Sequence, residues 1–322
     1  MISVEESESS DKNWNSRLSS SNLGTIYHTK EYADFLISKN YQPIFLKFLD
    51  SSGTIVGQLL VSSYSIFDKK DGIKKFVKYI PNRKKIMYRW IFGPVIFDDS
   101  KTKEIHSELG KFLIKKNCKV KGTEHPLFSN QFLNLGKNFD LTKWGTFLID
   151  LNQDIDDIWK KFNKHSAQKN IKRAEKRDVV VTELNPKNLE DYFQLLKNTK
   201  SKVGWDIPFD EISNLWKFLN PVGFSGFLAT WNDEPIGGIL FSFFNNYINE
   251  WGVGRSSLDY SEKLYSQDLI KWHIIKWGKQ NNCNYFDLTG VNPNPSTPKE
   301  LGIFRYKQKW GGDFKEYYQC SL

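Results

Sequence analysis

The sequence has little of what staples a chain or anchors it in a membrane. Its 322 residues include three cysteines, Cys118, Cys283 and Cys320. They are odd in number and lack metal-ligand or redox spacing, which leaves no disulfide framework and predicts free thiols in a reducing compartment. No apolar run approaches the ~20 residues needed to cross a bilayer. The opening, MISVEESESSDKNWNSRLSSSN, is acidic and Ser-rich, without the basic start and apolar core of a signal peptide. Together these absences predict a cytoplasmic protein with no transmembrane segment. The five histidines (His28, His106, His125, His165, His273) are scattered, so no zinc spacing arises. Walker motifs, Gly-rich dinucleotide fingerprints and nucleophile elbows are all missing.

What is present is apolar and aromatic. Hydrophobic residues make up 39% and aromatic ones 15%, with eleven Trp and twenty-four Phe, which argues against disorder. The length suits two domains of about 150 residues. The net charge of +9 is unevenly placed. Nine basic residues lie from Lys69 to Arg89 against one acid, Asp71, and eight from Lys160 to Arg177 against one acid, Glu175. Such clusters either attract phosphates, whether of RNA, nucleotide sugars or lipid headgroups, or form solvated faces.

Residues 1–23 read as a mobile tail, followed by domains at 24–145 and 146–322. In the first, Thr29 starts a helix over Lys30–Ser38, strands follow at Pro43–Leu49 and Ile55–Ile66, and 101–117 is a helix. In the second, Thr146–Leu151 is a strand and Asp154 caps a helix with Ile155, Trp159 and Phe162 at helical spacing. A basic helix over Ala167–Lys176 and a strand over Asp178–Leu184 come next. Pro186 opens a helix reaching Lys202, and a further helix covers Phe209–Leu219. Three strands joined by Asn232-Asp233 and Asn245-Asn246 turns follow, then a long helix over Glu262–Gln280, a strand with Asp287, and a last strand at Phe314–Tyr318. Gly237-Gly238 reads as a bulge or a close-packing site. The pattern predicts α/β architecture, a mixed sheet with helices packed on it. The first half repeats a shorter version of the same order, which implies a diverged duplication.

The stretch Asn284–Gly312, NYFDLTGVNPNPSTPKELGIFRYKQKWGG, holds the densest chemistry. A short apolar strand carries Asp287 and stops at Gly290. After a Pro- and Asn-rich loop come Arg305, Tyr306, Lys307 and Lys309, just before Trp310-Gly311-Gly312. Acids at strand ends and cations after such loops are where α/β proteins place reactive groups. A strand, a turn and a solvated basic face would read the same way.

Four segments resemble one family. Trp159-Lys160-Lys161-Phe162 followed by Lys169-Asn170-Ile171-Lys172-Arg173-Ala174-Glu175-Lys176 looks like its helix pair ending in N-I-x-x-A-x-K. Tyr285–Gly290 looks like its Y-D-x-x-G strand, and Gly302–Gly312 like its closing F-K-x-x-[FW]-G-G block, with Tyr306 in place of Phe. His28-Thr29-Lys30-Glu31-Tyr32 resembles its Q-S-x-x-W helix start. The chain in this way resembles the Fem peptidyltransferases over most of residues 25–320. The resemblance implies two tandem acyl-CoA N-acyltransferase (GNAT-like) domains. It also implies transfer of an aminoacyl group from aminoacyl-tRNA to an amine of a cell-wall precursor, with no cofactor. By position, Lys307 would stabilise the oxyanion with Tyr306 beside the reacting centre, and Asp287 would orient the amine or take its proton. Lys30 and Lys202 would hold precursor phosphates with Arg305 as a further substrate contact, and Lys169, Lys172, Arg173 and Lys176 would meet tRNA. Gln168 stands where the family has Arg, His28 and Tyr32 replace Gln and Trp, and Lys202 replaces Arg. The segment after Phe209 is too short for a coiled-coil arm, as in compact members.

Two other readings remain open. Acetyl-CoA-dependent enzymes need a Gly-rich turn opening a helix to cradle the pyrophosphate. The equivalent place, Ser256–Tyr265, holds no Gly. A non-catalytic tRNA-binding protein would rest on the basic helix alone.

Overall fold

The computed structural model describes residues 1–66, 86–201 and 207–322. Of the first basic cluster only Arg89 falls within them. Lys202 lies outside the described residues. The chain forms two compact units, Met1–Trp144 with Glu316–Leu322, and Gly145–Lys315.

In unit 1 the elements are β1 (Ser3–Ser7), α1 (Trp14–Ser19), α2 (Lys30–Ser38), β2 (Gln42–Leu49), β3 (Ile55–Ser65), β4 (Ile86–Arg89), β5 (Val95–Ile96), α3 (Thr102–Lys115) and β6 (Lys119–Thr123). The sheet runs β1-β2-β3-β4-β6 and continues through Gln319–Ser321 at the chain's end, with β5 on the flank of β3. Thr29 caps α2 by accepting a hydrogen bond from the Tyr32 N–H. Beneath the sheet, Phe48, Leu59, Val61, Ile105, Leu109 and Leu113 form a closed apolar core.

The expected mobile tail is ordered instead. β1 pairs antiparallel with β2 over five residues. Trp14 is fully buried, its indole N–H donates to the His28 carbonyl at 2.7 Å, and its ring meets Phe45 edge-on. A Ser-rich acidic sequence was read by composition, whereas two apolar side chains, Trp14 and Leu18, fix it. Another feature that periodicity missed is Glu124, almost fully buried, which accepts backbone N–H bonds from Asn130, Phe132 and Tyr318.

Unit 2 contains the end of β7 (Asp140–Asp150), α4 (Ile155–Lys161), one π-helical turn (Lys164–Gln168), α5 (Lys169–Lys176), β8 (Val180–Glu183), α6 (Leu189–Ser201) and α7 (Phe209–Gly223). After these come β9 (Phe224–Trp231), β10 (Glu234–Phe244), β11 (Tyr247–Arg255), α8 (Ser257–Ser261), α9 (Ser266–Gln280), β12 (Tyr285–Val291), α10 (Pro298–Gln308) and the start of β13 (Asp313–Ser321). Its sheet order is β7-β12-β11-β10-β9-β8. The β9-β10-β11 meander is antiparallel, while β11 and β12 run parallel across the α9 crossover.

Local differences from the sequence reading have simple causes. Pro186 sits in a turn and α6 begins at Leu189, because Asn185 and Asn188 tie that turn by side chain to backbone. The helix expected over Glu262–Gln280 begins later: Lys263 and Tyr265 take positive φ, and α9 starts at Ser266, after the separate short helix α8. The residues after the Pro/Asn loop are not a loose basic run but the helix α10, opened by a Thr297/Glu300 capping box with Pro298 in its first turn. Gly238 allows Tyr192 to lie on the sheet, since a Cβ there would come within 2.6 Å of its ring.

Candidate functional site

β11 and β12 share three register pairs, Tyr247 with Tyr285, Ile248 with Phe286 and Asn249 with Asp287, and no pair beyond them. Past that point the two strands part. At the fork sits Asp287, 1% exposed. Its carboxylate lies 2.5 Å from the Thr146 hydroxyl and accepts from the Tyr247 hydroxyl at 2.6 Å, the Asn249 amide at 3.2 Å and the Thr289 N–H at 2.7 Å. Burial raises its pKa, and these donors oppose the rise.

Just past Asp287 the strand bulges. Between Asp287 and Gly290 the pairing with β7 slips by one residue, and Thr289 takes φ +62°. A β-branched residue in the left-handed region is strained by about 1–3 kcal/mol. The bulge aims the Thr289 and Gly290 carbonyls at Lys307, whose Nζ donates to them at 3.2 and 3.1 Å and stands 3.4 Å from the Thr289 hydroxyl.

Two more lysines stand near Lys307, over the ring of its chain neighbour Tyr306. Lys309 Nζ lies 4.2 Å and Lys271 Nζ 5.7 Å from the ring centroid. Lys309 pairs with Asp268, and Lys271 with Glu250. Among the described residues Lys307 alone of the three has no ion-pair partner. Burial lowers its pKa to about 8, and the charge of Asp287 pulls it back up. Burial also lowers Lys271, well below the usual lysine value, with Lys307 and Lys309 adding repulsion. The Tyr306 phenol is pushed well above its usual value, first by burial and then by Asp268. It therefore stays neutral at physiological pH.

The start of α9 is occupied by acids. Asp259, fully buried, accepts the Ser266 N–H at 2.9 Å and pairs with Arg255, whose guanidinium stacks on Tyr260. Asp268, in the first turn, is also buried. A helix N-terminus favours anions, and here the chain supplies them itself.

The remaining predicted residues are spread more widely. Arg305 is exposed on α10, one residue from Tyr306. Lys30 lies in unit 1, half-buried, its backbone N–H donating to Asn15. Lys169, Lys172, Arg173 and Lys176 are all exposed on α5. Lys172 lies over Trp159, and Arg173 reaches the Tyr265 hydroxyl at 3.2 Å. Gln168, which stands where the resembled family has Arg, donates to the Trp159 carbonyl at 2.7 Å and closes the end of α4. Lys271 and Glu250 went unnoticed in the sequence. A lysine inside an apolar helix pattern and a glutamate inside a strand were the available signals. A cavity of about 550 Å³ between α6 and the Arg255–Ser257 turn holds none of the predicted residues.

No family model matches the sequence, and no curated protein matches it by sequence. Solved structures do match. A crystal structure of FemX aligns with a TM-score of 0.74 at 11% identity, covering 98% of this chain and 96% of that one. The structure of L-PGS from Bacillus licheniformis aligns at 0.57 and 12%, over 97% and 91% of the two chains. A tandem GNAT protein from the clavulanic acid biosynthesis pathway aligns at 0.52 and 10%, over 100% and 97%. The chain thus has the α/β mixed-sheet fold shared by FemX and the tandem GNAT proteins, the fold that the Fem-type resemblance of its sequence implies.

Proposed function

We propose that this chain is an N-acyltransferase that moves an aminoacyl group from aminoacyl-tRNA to an amine of a cell-wall-precursor-like acceptor. The acceptor nitrogen attacks the ester carbonyl, and the new C–N bond replaces the C–O bond to the ribose. The nitrogen loses a proton and the ribose oxygen gains one. The observation that carries this reading is Lys307, a half-buried ammonium without a carboxylate ion-pair partner among the described residues, held by a strained bulge at a fork of the sheet. An ammonium held where negative charge develops is worth several kcal/mol once water is excluded. The long contact to the Thr289 hydroxyl is the one an oxyanion would displace. Tyr306 would flank the reacting carbonyl. Asp287, with its lone pairs already engaged, fits a positioning role that fixes Thr289 and the bulge. Lys202 and Arg305 would contact the acceptor, and the α5 cations would meet the tRNA backbone.

The acids at the start of α9 support a donor other than coenzyme A. A pyrophosphate at that helix would displace Asp259 and meet Asp268 at close range, a repulsion of like charges. Single-turnover assays with aminoacyl-tRNA test the reading. Lys307→Ala should lower the rate by roughly 10²–10³-fold with tRNA affinity nearly unchanged. An unaltered rate removes Lys307 from the chemistry. Micromolar binding of acetyl-CoA by calorimetry, with no aminoacyl-tRNA binding, would move the donor to coenzyme A.

A further inference from the structure

Helix α10 carries Tyr306 and Lys307, both half-buried, and none of its residues is fully enclosed. The apolar packing of the helix falls to Phe304, which meets Phe147 and Phe314. What the Tyr306 ring meets is charge: Lys309 at 4.2 Å and, beneath it, Lys271 at 5.7 Å. Both distances fall within the ~6 Å range of a cation–π contact, which strengthens when the cation is desolvated. Lys271 is 1% exposed and its partner Glu250 is 7% exposed.

That pair is costly in its place. Lys271 lies in the middle of α9 among buried Leu269, Ile270, Ile274 and Ile275. Glu250 is the first β11 residue beyond the last pair with β12. A well-packed apolar pair of similar volume is often as stable as a buried ion pair, or more so. An aliphatic pair at 250 and 271 would complete the core but leave the ring with Lys309 alone of these two cations. We propose that Glu250 and Lys271 are positioning residues for the acyl-transfer centre. Glu250 keeps Lys271 charged, and the Lys271 ammonium holds the Tyr306 ring beside Lys307. The proposal rests on Tyr306 flanking the reacting carbonyl, but its first readout needs no reaction.

The full chain labelled with 3-fluorotyrosine gives a ¹⁹F line for Tyr306, identified by its loss in Tyr306→Phe. Glu250→Gln keeps the shape of the pair and lets Lys271 shed its proton. The double variant Glu250→Leu, Lys271→Met removes both charges. In each, the Tyr306 line should shift or broaden while thermal stability holds, and Lys271→Arg should restore it towards the wild-type position. The aminoacyl-transfer rate should fall at least tenfold in the first two, with KM for the donor within about twofold. An unchanged Tyr306 line in Glu250→Gln overturns the proposal, whether or not the double variant folds. A changed line in a protein that transfers no aminoacyl group leaves the positioning pair standing and removes the reaction.

Discussion

At the scale of single residues, the proposed chemistry turns on which lysine has no carboxylate partner among the described residues. Lys271 and Lys309 each hold a carboxylate, whereas Lys307 faces carbonyl oxygens and feels Asp287 only through space. With a pKa near 8, Lys307 is mostly an ammonium at pH 7 and loses its proton as pH rises through that value. If the ammonium stabilises the oxyanion, kcat should fall on the alkaline side of about pH 8. Lys307→Arg, which stays charged, should carry that limb to higher pH in a kcat–pH profile. A limb unmoved by Lys307→Arg assigns it to another group. His273, by contrast, is a satisfied half-buried histidine whose Nδ1 lies 3.0 Å from the Leu269 carbonyl.

At the scale of elements, α5 and α3 make opposite uses of their surfaces. α5 buries Ile171 and Ala174 and exposes its cations. If those cations neutralise tRNA phosphates, affinity should fall steeply with salt. Lys169→Ala with Lys176→Ala should then flatten the log–log slope by about 0.7–0.9 per cation. A slope that does not change places the contacts elsewhere. α3 is instead packed so closely that a Cβ at Gly110 would stand 2.0 Å from the Leu135 carbonyl oxygen. Gly110→Ala gains about 1 kcal/mol of helix propensity, but the clash is with backbone, which has little freedom to move. Net destabilisation of about 1–3 kcal/mol is expected, readable in chemical denaturation.

At the scale of the whole chain, acid stability should be governed by unit 1. His28, His106 and His125 are buried there, and burial holds their pKa values at about 4, about 4 and about 3. An unfolded histidine titrates near 6.5. Below that pH the unfolded chain binds protons that the folded unit refuses, so stability is full above pH 6.5 and drains as pH falls towards 4. Each histidine contributes about 1.4 kcal/mol per pH unit in that window. Hydrogen exchange of β2 and β3 amides should accelerate accordingly between pH 6.5 and 4.5, after correction for the intrinsic rate. Protection that stays constant would mean these histidines are not the acid-sensitive groups.

The sequence by itself determined most of the elements and the local chemistry. Alternating and helical apolar spacing placed α2, α4, α9 and the β9–β11 meander, because each buries one face locally. It also put Asp287 and Lys307 in one short stretch. It misread residues 1–23, where composition stands for solubility but Trp14 and Leu18 decide the packing. It passed over β6 and saw no helix in Pro298–Gln308, which buries no apolar stripe for a period to reveal. Tertiary structure alone decided that Asp287 is enclosed by donors from β7 and β11, that the bulge at Thr289 aims two carbonyls at Lys307, and that Glu250 and Lys271 meet beneath Tyr306. Those facts depend on contacts between residues 17 to 141 positions apart, and nothing in local spacing encodes how strands and helices so distant come to share one fork.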